Sequence, residues 1–366
     1  MRVLWIPHTR WTLRGAHRAR YLVDCLMENH EIHVVTWSEP TASSVLSYAS
    51  PATHLRALIP WRAREGRIGL HHIPRWCLQR VPLFWRQNQE FLRSAVRRIV
   101  REEDIEVIVF GSSAYLIGFP PRDTGIPVIF DYVDYACNKL LDRYLEHADA
   151  VICASNRLQK QVQSLGRDAT YCPNGVDFER LNHADGSRVR KAYGIGNNVV
   201  ISLIGLTASR DLYFVDSLLQ VSEKIPEARF LFVGKGAIYD PLRKALRPLR
   251  RRCIWTGWIP PERVYDFFKA SDVGLYPGAD IEYFRSACPI KLLEYSACGT
   301  PSVSSPVAEI DHLDLRSVLQ VDATATGFAT GIINALGSKS PDDRGKIPSW
   351  GEVAERFQSV LSELVS

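Results

Sequence analysis

The chain has 366 residues, of which 46% are hydrophobic and 23% charged, and a formal net charge of +5. This length predicts two domains with ordinary cores, and so mild a basic balance does not point to nucleic acid. None of the eight cysteines forms a Cys-x-x-Cys pair, which argues against a disulfide framework and a cysteine zinc site. No apolar stretch approaches the roughly 18 residues of a membrane span. The opening MRVLWIPHTRW reads as a strand rather than a signal peptide, so a cytoplasmic chain is expected, at most peripheral at the inner membrane face.

In chain order, short apolar runs alternate with helical patterns. Strands are expected at Arg2–Pro7, Glu31–Trp37, Ile105–Ser112, Pro127–Asp134, Ala150–Ser155 and Thr170–Gly175. A helix is expected over Gly15–Asn29, with Asn29 in the left-handed position after its end. Strands follow at Val199–Gly205, Arg229–Gly234, Cys253–Trp258, Val273–Pro277 and Pro301–Ser305. Helices are expected at Asp211–Lys224, Pro261–Ala270, Pro289–Cys298 and, without a following strand, Ser349–Ser366. Alternation of this kind predicts an α/β chain of two Rossmann-like, doubly wound domains facing a central cleft. Their expected limits are 1–178, with 349–366 packing back on it as a C-terminal helix, and 188–345, joined through Asp177–Ser187.

Between Pro60 and Arg101 stand ten arginines against Glu65 and Glu90, with Trp61, Trp76 and Trp85. Pro60, Pro74 and Pro82 are expected to break its first part into loops or short helices, before an amphipathic helix at Phe91–Arg101. Arginine and tryptophan on one surface suit an anionic membrane, although an ordinary solvated face has the same composition. Arg247–Arg252 is a second basic run, read as a solvated helix end. No nucleic-acid motif is present, and none of that class of partner is expected.

The segment Asp280–Ser304, DIEYFRSACPIKLLEYSACGTPSVS, carries the chemistry. Pro289 suits the first turn of a helix and Gly299 its end. The free N–H groups of such a helix attract a phosphate. Lys291 in the first turn can reach a diphosphate as a point charge. Glu294, one turn on, can accept hydrogen bonds from ribose hydroxyls; a solvated Lys291–Glu294 pair is the structural alternative.

CPIKLLEYSACGTPSV resembles the nucleotide-sugar helix of family 4 glycosyltransferases, where a Glu precedes an (A/S)-x-G-x-P run. HADAVICASNRLQKQV followed by YCPNGVDFERL resembles the end of that family's first domain. Glu294 matches the second Glu of the family's E-x7-E motif, and the first falls on Ser286; Glu282 is acidic but four residues early. The resemblance implies a GT-B fold and a retaining, metal-independent transfer from a nucleoside-diphosphate sugar to an acceptor hydroxyl, lipid-linked acceptors included, in polysaccharide or glycolipid synthesis. UDP is the first expectation and GDP the second, and no cofactor is implied. The implied donor-side residues are Gly205, Gly257, Ser286, Pro289, Ile290, Leu292 and Glu294. Lys291 and Arg210 would bear on the diphosphate, and Leu206 stands where the family has Arg. Asp131 and Asp134, at a strand end, would lie near the reacting carbon, with helix capping the alternative for either. His8, Arg10 and Gly15 would form the acceptor-side loop. The rivals are a nucleotide-sugar epimerase or hydrolase, a non-catalytic nucleotide-sugar or glycan binder, and a basic protein for RNA or membrane.

Overall fold

The apolar runs become strands, and helices fill the intervals between them. A computed structural model describes residues 1–8, 11, 17–37, 61–73, 82–112, 118–206, 208–338 and 340–365. The chain divides into a first unit, Met1–Pro173 with Gly351–Ser366, and a second, Asn174–Trp350.

The first unit runs β1 (Arg2–Ile6), α1 (Arg18–Leu26), β2 (Glu31–Trp37), β3 (Trp61–Glu65), β4 (Ile68–Ile73), α2 (Pro82–Glu102), β5 (Val107–Gly111), β6 (Val128–Tyr132), α3 (Asn138–Leu145), β7 (Ala150–Cys153), α4 (Asn156–Ser164) and β8 (Thr170–Tyr171). Its sheet has the order β3-β4-β2-β1-β5-β6-β7-β8 and is parallel except where β3 meets β4. β5 and β6 are buried along their whole length, as continuous apolar runs are when helices cover both faces of a parallel sheet. The strand order reverses at β1. There the loop after β1 lies so close to the end of β5 that a Cβ on Gly111 would sit 2.5 Å from the His8 nitrogen.

The second unit runs α5 (Phe178–His183), α6 (Gly186–Ala192), β9 (Val200–Ile204), α7 (Phe214–Lys224), β10 (Arg229–Val233), α8 (Tyr239–Ala245), β11 (Cys253–Gly257), α9 (Val264–Ala270), β12 (Val273–Tyr276), α10 (Glu282–Arg285), α11 (Ile290–Ala297), β13 (Ser302–Ser304), α12 (Ala308–His312), β14 (Val318–Gln320) and α13 (Ala325–Gly337). All pairings of its sheet, order β11-β10-β9-β12-β13-β14, are parallel. The last helix, α14 (Trp350–Val365), belongs from Gly351 onward to the first unit, where Phe357 stacks on Trp5 at 5.1 Å between ring centres.

Several expectations are corrected. The stretch after residue 60 is no set of loops: β3 and β4 form a hairpin, closed by Gly66 at φ +57°. Arg62, Ala63 and Arg64 are all exposed because β3 is an edge strand, so no alternating pattern marks it. Pro82 starts α2 nine residues before the expected helix, its fixed φ suiting a first turn. Asn29 is not left-handed; its amide and that of His30 bond back to the Leu26 carbonyl. The segment expected to link the domains is helical, with Asp177 and Asp185 capping α5 and α6, and lies inside the second unit. Strand β14, three residues long, was not expected at all.

Asp131 ends β6 as one half of a buried ion pair. Arg18 Nε donates to its Oδ1 at 2.9 Å, and each residue is 1% exposed. Arg18 Nη1 also donates to the Pro173 carbonyl at 2.9 Å. Removing one partner of such a pair strands a charge in a dry interior. The Arg18→Leu variant is expected to lose about 3–5 kcal/mol of stability, measured by urea unfolding; a change below about 1 kcal/mol would show that water reaches Asp131.

Candidate active site

Open parallel sheets bind ligands outside the carboxyl ends of their strands, where strand order reverses. In the second unit that place is β9, between β10 and β12. Gly205, Gly234 and Gly257 stand at the ends of β9, β10 and β11 with φ of +86°, +103° and +67°. Gly205 N–H donates to Val233 O, and Gly234 N–H to Gly257 O, which ties the three turns into one floor. The loop after β9 is pinned to the loop after β12, since Ser209 N–H donates to Pro277 O at 2.7 Å and Tyr213 Oη to Gly278 O at 2.9 Å.

Lys291 lies over that floor. A Cβ on Gly205 would sit 2.6 Å from Lys291 Cε, so the missing side chain is the space the ammonium arm occupies. Lys291 belongs to the first turn of α11. Pro289 is the residue before that turn, with φ −75° and ψ 110°, rather than within it. The Ile290 and Lys291 amides have no partner available inside the helix. At the other end Gly299, φ +72°, closes α11, and Thr300 N–H reaches back to the Tyr295 carbonyl. Leu292 and Leu293 are buried in the core.

Glu294 is 4% exposed, so it is not a solvated partner of Lys291. Burial pushes its carboxyl up to about 7, against the opposing pull of Lys291 and of a hydrogen bond from Tyr265. Tyr265 Oη also accepts the Asp177 N–H at 3.1 Å. The loop ahead of α11 is held by Asn174, whose Nδ2 donates to the Cys288 carbonyl at 2.6 Å. Beside it Gly175 allows the return of the chain: a Cβ there would sit 2.9 Å from the Ser349 carbonyl. Asn174 reads in sequence as a turn residue, and its hold on α11 is invisible locally. Tyr265 carries no sequence signal for its role.

Ser286 is buried, and its hydroxyl donates to Glu282 Oε1 at 2.8 Å. The early carboxylate therefore folds back onto the position where the motif has its own. Arg210 is exposed, one residue after the pinned Ser209. In the first unit, His8 follows β1, and its ring meets that of His17 edge-on at 5.9 Å. Burial lowers the His8 pKa, opposed by the charges of Asp134 and Asp131. Those three residues thus share one strand-end region, although Asp131 is already engaged by Arg18. The Asp134 amide takes the Ser112 hydroxyl at 3.4 Å as acceptor. Arg10 and Gly15 lie outside the described residues.

Two family models match the chain: Glycosyltransferase Family 4 over residues 15–180 and Glycosyl transferases group 1 over residues 201–338. The chain is a family 4-like GT-B glycosyltransferase. A putative teichuronic acid biosynthesis glycosyltransferase, TuaH of Bacillus subtilis, is 26% identical over 170 residues, 44% of this chain and 42% of the relative. The GDP-mannose-dependent alpha-(1-6)-phosphatidylinositol monomannoside mannosyltransferase of Mycolicibacterium smegmatis is 26% identical over 273 residues, 66% of this chain and 70% of the relative. Sucrose-phosphate synthase from Thermosynechococcus elongatus shares the fold at TM-score 0.74 and 15% identity, covering 99% of this chain and 98% of that one. Anabaena Alr3699/HepE in complex with UDP does so at TM-score 0.69 and 15% identity, covering all of both chains. The relatives of this chain therefore include ones named for polysaccharide and for glycolipid synthesis.

The basic stretch is less available than its composition suggests. Arg62 pairs with Glu102 and Glu103, Arg93 with Glu90, Arg97 with Asp123 and Arg98 with Glu102. No helix among the described residues is long and apolar enough to cross a membrane.

Gly205→Ala is expected to drive Lys291 off the glycine floor. Affinity for a nucleoside diphosphate should fall by about tenfold or more, equivalent to about 1.4 kcal/mol, in a protein whose circular dichroism spectrum is unchanged. Unaltered affinity would show that the Lys291 arm does not serve that ligand.

Proposed function

We propose that the chain moves a sugar from a nucleoside-diphosphate sugar to an acceptor hydroxyl with retention at the anomeric carbon, without a metal at the donor site. The observation that carries this reading is Lys291 over the cleared space at Gly205, one turn before the buried Glu294. Leaving-group stabilisation is the main chemical task in such a transfer, and fixed positive charge where the diphosphate departs supplies it. Lys291, the first-turn amides of α11 and Arg210 on the adjoining loop are the groups for that role. They would give the charge that a divalent cation gives in other transferases.

Glu294 holds the ribose by accepting from its hydroxyls. Gly234 and Gly257 leave the backbone open for the base, with UDP favoured and GDP second. Glu282, bonded to Ser286, supplies the carboxylate contact to the donor sugar that the motif places at 286. In the first unit, His8 and Asp134 receive the acceptor, a sugar or lipid-borne hydroxyl, while Asp131 acts by fixing Arg18 and the end of β6.

Isothermal titration with UDP and GDP tests this directly. One nucleotide should bind at micromolar Kd. Lys291→Ala should lose about 10- to 100-fold, the worth of one charge-assisted hydrogen bond of about 1.5–3 kcal/mol. Glu294→Ala should lose a similar amount. A folded protein that binds neither nucleotide overturns the proposal.

The raised carboxyl adds a pH signature. A carboxylate that must be ionised to accept ribose hydroxyls has to release its proton on binding whenever the free protein holds one. With Glu294 at about 7, affinity should climb as pH rises from 5.5 and level off above about 7.5. Glu294→Gln, in which position 294 no longer titrates, should keep only the dependence that the nucleotide's own terminal phosphate brings, whose second ionisation lies at about pH 6. A wild-type profile that coincides with that of Glu294→Gln would remove Glu294 from the site.

A further inference from the structure

A separate cluster lies in the first unit, on residues that the proposed transfer does not use. His33 on β2 and His71 on β4 are 3% and 4% exposed. The two strands are parallel neighbours, with His33 level with Gly69, so His71 stands two residues further along on the same face. Gly69 is what lets the rings meet, because a Cβ there would sit 2.7 Å from His33 Nδ1. As a result His33 Nδ1 and His71 Nε2 are 3.0 Å apart. Glu103, in the turn that ends α2, brings a carboxylate to the pair, and one ligand atom from each of the three residues lies within 4.8 Å of the others.

Two nitrogens about 2.0–2.1 Å from one tetrahedral zinc are separated by roughly 3.3 Å, so the imidazoles already stand close to the spacing of a shared ion. Among the described residues the far nitrogens, His33 Nε2 and His71 Nδ1, are buried and make no hydrogen bond. His33 Nε2 does face Glu31, with Oε1 at 3.5 Å, and a carboxylate behind a ligating histidine is the usual means of orienting it. Arg62 Nη1 donates to Glu103 Oε1 at 3.1 Å, and Oε2 of the same carboxylate has no hydrogen bond among the described residues.

We propose that His33 Nδ1, His71 Nε2 and the Glu103 carboxylate form a binding site for one divalent transition-metal ion, zinc first, with Glu31 orienting His33. Two imidazoles and one carboxylate are a borderline-soft donor set that suits zinc and excludes calcium and magnesium. Such an ion would tie β2, β4 and the end of α2 together, which makes it a staple for the hairpin side of the sheet. Three protein ligands leave the fourth position for water.

The test uses the full chain, stripped with a chelator and titrated with zinc against a chromogenic competitor. Cobalt(II) serves as the spectroscopic probe. One equivalent of zinc should bind, and cobalt should give the visible bands of a tetrahedral site. His71→Asn and Glu103→Gln should each weaken zinc at least about tenfold, and Glu31→Gln by about 10- to 100-fold. Zinc should also raise the melting temperature of the wild type and not of Glu103→Gln. Glu103 lies at the surface end of α2, so that variant keeps the test valid if His71→Asn fails to fold. Absence of stoichiometric zinc binding, or binding unaltered in Glu103→Gln, overturns the proposal and leaves the cluster as a histidine pair beside an Arg62–Glu103 ion pair.

Discussion

The second unit is organised around a side chain that is not there. Gly205 lacks the Cβ that would strike Lys291, and the left-handed turn it adopts is one that L side chains rarely take. That one space lets a cation from α11 lie at the end of β9. It also lets the turns after β9, β10 and β11 interlock through backbone hydrogen bonds. Any side chain at that point would push the ammonium arm away from the end of β9.

The opposite problem is solved at Glu294. A carboxyl buried beside apolar helices is costly unless it is neutral or well bonded. Lys291 and Tyr265 lower the cost without abolishing it, so the group stays poised near neutrality. Tyr265 can serve because Asp177, at the cap of α5, occupies its lone pair. The Pro-Asn-Gly-Val-Asp segment thus contributes at both ends, Asn174 fixing the loop before α11 and Asp177 reaching α11 through Tyr265. A stretch that looks like a plain turn is the brace of α11.

The legibility of the chain follows from where its information is local. The parallel strands were readable because burial on both faces makes them continuous apolar runs, and α11 because Gly299 and Lys291 act within one turn of themselves. The edge hairpin was not, since Arg62, Ala63 and Arg64 face solvent on both sides and mimic a loop. Asp131 illustrates a limit of motif reasoning. Its position at a strand end suggested chemistry, and its partner Arg18, 113 residues away, engages both of its oxygens. Tyr265 and Gly69 had no signal at all, because each matters only through a residue distant in sequence.

The same reasoning separates charge that is free to act from charge that is spent. The Arg-rich stretch ahead of Val107 has a composition that suits an anionic membrane, yet α2 and its neighbours pair Arg62, Arg93, Arg97 and Arg98 internally. Arg97 takes both oxygens of Asp123, and Arg62 spans Glu102 and Glu103. Lys291, a single cation in a turn of ordinary composition, sits where backbone amides and an open glycine floor add to its field. Composition counts charges, but function depends on whether the fold has already neutralised them.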